Sequence, residues 1–189
     1  MKLTPGKRKG LEAVSDSRGV IAAAAMDQRG SLKSAIAKDK GIDKKAVTNE
    51  MMAEFKEAVS RVLTPHATAI LLDPEYGLSA AKERAKNAGL LLAYENSGYD
   101  NTQPGRLPDL LDHYSVRRLV ADGADCIKIL LYYTPFDSAE IARGTPGGYL
   151  PLNGQCLESL QSTQRSVGII VYADLYLGKP PLQANRSLF

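Results

Sequence analysis

Charged and amide side chains directly follow three short apolar segments of the chain. Asp27, Gln28 and Arg29 follow the first segment, Asp73 follows the second and Glu95 follows the third. If these segments are parallel strands, their carboxyl ends meet at one edge, which is where α/β enzymes place their active sites. We therefore expect these side chains to converge. Asp73 precedes a proline, and for this residue the cap of a turn is favoured over a catalytic role.

A fourth apolar segment, residues 126–133, contains a lysine. Lys128 lies between two isoleucines, so its side chain cannot readily extend to water. Burial lowers the pKa of a lysine, whereas a neighbouring carboxylate such as Asp27 or Glu95 holds it charged. The neutral amine is a nucleophile, and the ammonium donates protons or binds phosphate. A functional lysine is favoured here over a structural ion pair.

The apolar pattern also predicts the sheet that would position these groups. Four apolar runs are continuous, which is typical of parallel strands covered on both faces. They span residues 19–26, 69–72, 89–94 and 126–133. Intervening segments predict helices over 46–63, 80–88 and 109–121. Alternating strands and helices indicate right-handed βαβ units, arranged either as a doubly wound open sheet or as a barrel.

The longest predicted helix carries a regular apolar stripe. Val47, Met51, Phe55, Val59 and Val62 recur at spacings of four, four, four and three residues. Such spacing places them on one side of a helix. The spacing thus draws one apolar stripe along residues 46–63.

Length and composition are those of a single globular domain. The chain has 189 residues, of which 44% are hydrophobic and 24% charged, and a net charge of +3. Both signs of charge are interleaved, so no nucleic-acid partner is expected. No apolar run reaches the roughly 18 residues of a membrane span, the first residues lack a signal-peptide core, and two cysteines suit a reducing compartment. We expect no membrane partner and a cytoplasmic location.

The scarcity of histidine bears on metal chemistry. His66 and His113 are the two histidines of the chain and fall in different predicted βα units, so they supply no recognisable ligand cluster. A mechanism without a metal is therefore favoured. The sequence has no phosphate-binding loop of the Walker type, no dinucleotide fingerprint and no nucleophile elbow, so nucleotide binding and serine hydrolysis have no support.

The composition changes near residue 142. Residues 142–189 contain six charged residues, against 39 in the first 141. The later segment is rich in Gly, Pro, Gln and Ser, and it lacks amphipathic periodicity. We expect an irregular, divergent tail there. Within it, residues 168–172 could form a strand that ends near Asp174, to which no catalytic role is assigned.

Four motifs, taken in order with their spacing, carry a family resemblance. They are Ala-Met-Asp-Gln-Arg-Gly at 25–30, Leu-Leu-Asp-Pro-Glu-Tyr-Gly at 71–77, Gly-Leu-Leu-Leu-Ala-Tyr-Glu at 89–95, and Gly-Ala-Asp at 123–125 leading to Lys128. Together they resemble the bacterial class I tagatose 1,6-bisphosphate aldolases. The resemblance extends over about residues 3–141.

This resemblance implies a (β/α)8 barrel that cleaves a phosphorylated ketose, as in lactose and galactose catabolism. The products would be dihydroxyacetone phosphate and glyceraldehyde 3-phosphate, formed through a Schiff base without metal or cofactor. By resemblance, Asp27 lies beside the reacting centre, Gln28 and Arg29 border the phosphate, and Lys128 assists as a catalytic lysine. Asp73 and Glu95 are expected to line the pocket.

The later part of the chain departs from the family pattern. In the family a glutamate of the fifth strand and the Schiff-base lysine of the sixth are catalytic, and much of the phosphate site lies on the last two strands. None of these matches a segment here. We therefore expect a partial (β/α)8 barrel of the first four βα units, residues 1–141, truncated before the divergent tail at 142–189.

Two interpretations of function stay open at this point. In one, the chain is an aldolase in which Lys128 takes over the Schiff-base role. In the other, it is a catalytically inactive half-barrel, either a remnant or a binding or regulatory protein. A half-barrel exposes sheet edges and apolar surface, which predicts pairing as a homodimer.

Overall fold

A parallel sheet is the centre of the fold. The computed structural model describes residues 4–96, 109–133 and 168–175, with residues 130–133 and 168–175 described by their backbone alone. Its five strands are β1 (Ala23–Met26), β2 (Ala69–Leu72), β3 (Gly89–Ala93), β4 (Cys126–Tyr133) and β5 (Gly168–Leu175). They lie in the order β1-β2-β3-β4-β5, and each neighbouring pair is parallel. The sheet therefore follows the order of the chain, without the reversal that marks a doubly wound sheet.

Helices connect most of these strands. They are α1 (Pro5–Val14), α2 (Gly30–Lys40), α3 (Asn49–Leu63), α4 (Leu78–Lys82) and α5 (Val116–Ala121), with short 3-10 turns at Lys44–Ala46 and Thr64–His66. Local sequence sets their ends. Thr48 and Ser115 cap α3 and α5 through side-chain oxygens that accept from backbone N–H groups. Gly41 ends α2 with a φ of 64°, a left-handed conformation that glycine adopts without strain.

The central strands are buried on both faces. On one face, strand residues and residues of α4 and α5 form a single apolar cluster that includes Leu72, Leu92 and Ile127. On the other face, Leu91 and the other members of a smaller cluster pack against Val14 of α1. Successive strand residues point to opposite faces, so a strand covered on both sides needs an unbroken apolar run. This confirms the reasoning that predicted β2, β3 and β4.

Helix α3 forms where the sequence predicts it, but its buried face follows the predicted apolar stripe only in part. Met52, Lys56 and Ser60 are buried, whereas Phe55 is 42% exposed and Val62 is 66% exposed. Of the predicted apolar stripe, Val47 is buried and Met51 and Val59 are half-buried, so the stripe supplies only part of the buried face. The helix also packs through an adjacent stripe with a lysine at its centre, which becomes possible because the lysine finds polar partners inside the protein.

Other predicted elements differ in extent. The predicted helices over 80–88 and 109–121 shorten to five and six residues in α4 and α5. The first predicted strand forms over four residues, but its residues alternate between exposed and half-buried, because Ala24 and Met26 pack against the larger apolar cluster on one face while Ala23 and Ala25 are exposed on the other. Within residues 142–189, where an irregular tail with a possible strand at 168–172 is expected, the structure describes the strand β5 over Gly168–Leu175, whose backbone pairs with the whole length of β4.

No helix in the described part of the chain is long and apolar enough to cross a membrane.

Candidate active site

Three residues that are distant in sequence meet at the carboxyl ends of the strands. Lys128 lies on β4 opposite Ala93 of β3, and its Nζ donates to Asp27 Oδ2 at 2.8 Å and to Glu95 Oε1. Asp27 directly follows β1, and Glu95 lies two residues beyond β3. Lys128 is 8% exposed and Glu95 is 4% exposed. The structure thus brings together the lysine and two of the carboxylates whose convergence the sequence predicts.

Backbone contacts hold Glu95 in place beyond the end of its strand. Glu95 forms an antiparallel bridge with Leu110, and the N–H of Leu111 donates to the Tyr94 carbonyl at 3.0 Å. Arg29 Nη2 also donates to the carbonyl oxygen of Glu95 at 2.6 Å. The side chain of Glu95 is therefore directed at Lys128 from a backbone that is fixed on two sides.

The charges of this cluster are mutually dependent. Burial raises the pKa of Glu95, and its contact with the Lys128 ammonium offsets only part of that rise. Burial alone would lower the pKa of Lys128, but the carboxylates of Glu95 and Asp27 outweigh it and raise the pKa above its ordinary value. The lysine is therefore held charged, while a proton acceptor with a raised pKa lies directly against it. Transfer of that proton would leave a neutral amine beside a neutral acid.

Arg29 lies at the start of α2 beside this cluster. It is 7% exposed, and its Nη1 pairs with Glu75 Oε2 at 3.0 Å. Arg29 Nε and Glu95 Oε2 are buried with no hydrogen-bond partner among the described residues. Buried polar groups are normally paired, so one donor and one acceptor remain available next to Lys128. Gln28, in contrast to Arg29, is exposed.

Asp73 occupies a structural position. It is fully buried, and its Oδ1 accepts from the backbone N–H groups of Glu75 and Tyr76 at 3.0 and 2.9 Å. Its Oδ2 accepts from Lys56 Nζ. This turn closes tightly, because a Cβ at Gly77 would collide with the backbone of Asp73. Asp73 thus has the turn-capping geometry that the sequence favours for it.

Lys56 is the residue of this region that sequence reasoning missed. It is 0% exposed, and its Nζ donates to the carbonyl oxygens of Met26 at 2.7 Å and Gln28 at 2.9 Å, besides the Asp73 carboxylate. An ammonium has three N–H groups, so all of its donors are used. The available signal was its spacing of four residues from Met52, which places both residues on one side of the helix. The nearby glutamates, however, make the segment resemble a solvated face.

Other reactive groups lie apart from this chemistry. Both histidines are exposed. Burial raises the pKa of the Cys126 thiol to about 12, so the reactive thiolate is disfavoured. In residues 4–96 and 109–129, where side chains are described, no group of three or more His, Cys, Asp and Glu side chains is placed to hold a metal ion.

Comparisons with known proteins identify the family of this chain. Residues 21–144 match the model of the DeoC/LacD family of aldolases. The tagatose 1,6-diphosphate aldolase 2 of Enterococcus faecalis is 55% identical over 141 residues, which are 75% of this chain and 41% of that protein. Tagatose 1,6-diphosphate aldolase 1 of the same organism is 49% identical over 82% of this chain and 46% of its own length. A tagatose 1,6-diphosphate aldolase of Listeria monocytogenes is 50% identical over 75% of this chain and 40% of its own length. The matched part thus covers less than half of each relative.

Proposed function

This chain belongs to the DeoC/LacD aldolase family, and we propose that it acts as a class I aldolase on tagatose 1,6-bisphosphate. The observation that carries the proposal is the buried ammonium of Lys128 between the carboxylates of Asp27 and Glu95. Relatives named for this activity are 50% to 55% identical to the chain over 141 aligned residues. Lys128 and Asp27 are the proposed catalytic residues, and Arg29 with Gln28 is proposed to border a phosphate group of the substrate. A phosphorylated sugar as substrate also favours a cytoplasmic location.

The first step that we propose is the activation of Lys128. Its ammonium passes a proton to Glu95, whose pKa burial has raised, and this removes two opposite charges from a buried site. The neutral amine then attacks the C2 carbonyl of the ketose. Loss of water from the resulting carbinolamine forms the Schiff base.

Carbon–carbon cleavage follows from the charge on the Schiff base. A carboxylate takes the proton of the C4 hydroxyl, and the electrons of the C3–C4 bond move into the iminium as glyceraldehyde 3-phosphate forms. Asp27 is the proposed base, because it contacts Lys128 and is more exposed than Glu95, with side-chain exposures of 16% and 5%. Protonation of the enamine at C3 and attack by water then release dihydroxyacetone phosphate and the free amine.

Borohydride trapping tests this proposal directly. Incubation with dihydroxyacetone phosphate and borohydride should add one reduced three-carbon phosphate unit to Lys128, as mapped by peptide mass spectrometry. Lys128→Met should abolish the adduct, whereas Lys86→Met, at an exposed lysine, should retain it. An unlabelled wild-type chain would instead support the alternative of a catalytically inactive remnant or a binding or regulatory protein.

The proposed architecture is a partial (β/α)8 barrel built from the first four βα units in residues 1–141. The sequential parallel order of β1 to β4 supports it, as does the position of the candidate site at the carboxyl ends of the strands. The divergent segment 142–189 is proposed as a separate region that contributes β5 to the sheet edge.

The open edge of β1 supports a further proposal, that two copies form a homodimer. Val20 and Ile21, just before this strand, are 47% and 41% exposed, and β1 has no second neighbour among the described strands. Such an edge favours pairing with another chain. Sedimentation should give twice the mass of one chain, and Ile21→Lys should shift it to the monomer. A wild-type monomer at all concentrations would exclude the dimer.

A further inference from the structure

Lys56 contacts the backbone on both sides of Asp27. Its Nζ donates to the carbonyl oxygen of Met26 at 2.7 Å and to that of Gln28 at 2.9 Å. Asp27 is the residue between these two carbonyls, and its Oδ2 accepts from Lys128 at 2.8 Å. A single ammonium therefore holds the peptide unit that precedes the Asp27 side chain and, one residue further on, the peptide unit that follows Gln28. Their orientation decides the direction in which that side chain leaves the chain.

The ammonium itself is held from the other side. Asp73 accepts the third N–H of Lys56, and the two backbone N–H groups that bind Asp73 fix this carboxylate in turn. Both side chains of the pair are 0% exposed. A fully buried ion pair contributes less to stability than its contacts suggest, because both charges lose their hydration. This makes a purely stabilising role for the pair a weak explanation.

We propose that Lys56 is a positioning residue, which binds the carbonyl oxygens on both sides of Asp27 and thereby holds the Asp27 carboxylate against Lys128. Lys56 does not itself react, because each of its three N–H groups already has an acceptor. The effect of Lys56 on catalysis rests on the proposed aldolase function. Its effect on Lys128 can be measured without any substrate.

Two variants separate the carbonyl contacts from the ion pair. Asp73→Asn keeps an acceptor oxygen for the N–H groups of the turn and leaves Lys56 with its two carbonyl acceptors but without its countercharge, so this variant should be less stable than the wild type. Lys56→Met in the Asp73→Asn background removes the carbonyl contacts without leaving a buried carboxylate unpaired. The difference between the single and the double variant therefore reports on the contacts that Lys56 makes around Asp27.

The measurement is the pKa of Lys128, followed by NMR of chains labelled at the lysine ε-carbon. The charged groups around Lys128 among the described residues are Asp27 and Glu95, with Arg29 held on the backbone of Glu95. Asp73→Asn should leave this pKa close to the wild-type value. The double variant should lower it by about one unit or more, because Asp27 no longer stays against the ammonium.

The sign of this change distinguishes positioning from electrostatics. Removing the positive charge of Lys56 would by itself raise the pKa of a neighbouring lysine. A fall in the double variant relative to Asp73→Asn therefore requires the displacement of Asp27. An unchanged or higher pKa of Lys128 in the double variant would overturn the proposal.

A second measurement covers the case in which the double variant does not fold. In the wild-type chain, the ammonium protons of Lys56 should exchange with water at least about tenfold more slowly than those of exposed Lys86, since all three are hydrogen-bonded inside the protein. Equal exchange rates would overturn the proposal.

Cleavage of tagatose 1,6-bisphosphate connects the inference to the reaction. The folded double variant should cleave this substrate at least about tenfold more slowly than Asp73→Asn, because the base proposed for the C4 hydroxyl is displaced. If borohydride trapping with dihydroxyacetone phosphate does not label the wild-type chain at all, the proposed function fails. The pKa comparison still decides the role of Lys56 in that case.

Discussion

Two buried lysines lie close to the carboxyl end of β1, and their surroundings differ. Lys56 donates to three acceptors, and its partner Asp73 is in turn bound by two backbone N–H groups. Lys128 contacts two carboxylates, and beside it Glu95 Oε2 and Arg29 Nε have no partner among the described residues. The first cluster is complete without a ligand. The second retains a donor and an acceptor for one.

The difference indicates separate roles for the two lysines, one structural and one chemical. A buried charge with every hydrogen bond satisfied is stable in one geometry, and Lys56 can therefore fix the backbone around it. A lysine between two carboxylates is held charged, and the carboxylate with the raised pKa lies in direct contact to accept its proton. The Lys56–Asp73 cluster, which is complete, thus positions the Lys128–Glu95 cluster, which is reactive. Asp27 connects them, because Lys56 binds the backbone around Asp27 and the Asp27 carboxylate contacts Lys128.

The largest expected effect comes from breaking the complete cluster. Lys56→Met alone leaves the Asp73 carboxylate buried without its ion pair, which should lower the free energy of unfolding by about 3–5 kcal/mol. Urea denaturation followed by circular dichroism measures this loss. Asp73→Asn in the same chain should recover most of it. A loss below about 1 kcal/mol, the scale of an exposed pair, would mean that Lys56 and Asp73 are not buried together.

A smaller effect is expected at the reactive cluster. Lys128→Met leaves Glu95 able to take up a proton and Asp27 partly exposed, so neither carboxylate remains as a fully buried charge. The loss in the free energy of unfolding should be about 1–2 kcal/mol at neutral pH, the scale of one buried polar group left without its partner. A loss equal to that of Lys56→Met would contradict the distinction between the clusters.

The pH dependence of stability should reveal Glu95. Its pKa in the folded chain lies above its ordinary value of 4.5, so folding favours the protonated form. The resulting stabilisation is complete below that value and is lost as the pH rises through the folded pKa. The stability of Glu95→Gln relative to wild type should therefore increase from pH 4 towards neutrality. Denaturant titrations across this pH range measure the two free energies of unfolding. A difference between them that stays constant with pH would show that burial does not raise the pKa of Glu95.

The smallest effect is expected on the outer face of α3. Val62 is 66% exposed, so Val62→Lys should change the free energy of unfolding by no more than about 0.5 kcal/mol. Met52→Ala, on the same helix but 1% exposed, should cost about 2–5 kcal/mol. The pair is compared by urea denaturation. Similar losses in the free energy of unfolding for both variants would indicate that α3 buries the predicted apolar stripe, with Val62 on it, as well as Met52.

The reactive cluster could be predicted from the sequence for a physical reason. Strands buried on both faces must be continuous apolar runs, and polar residues at their ends or inside them therefore stand out. Asp27, Glu95 and Lys128 each carried that signal, and the topology of parallel strands brings such positions to one edge.

The complete cluster could not be predicted in the same way. Lys56 lies between glutamates on a helix, its carboxylate partner is 17 residues away, and two of its acceptors are backbone carbonyls. Carbonyls are identical at every residue, so they leave no trace in the sequence. The buried face of α3 is only partly predicted for the same reason, because a lysine lies where an apolar contact is expected. The full length of β5 and its pairing with β4 could not be predicted, because the partner strand lies more than thirty residues upstream.

One measurement compares the two lysines in the same sample. The chain is incubated with dihydroxyacetone phosphate and borohydride, and the peptides that contain Lys56 and Lys128 are both quantified by mass spectrometry. The account predicts a reduced adduct on Lys128 and none on Lys56. An adduct on Lys56, or a Lys128 peptide that stays unmodified, would contradict it.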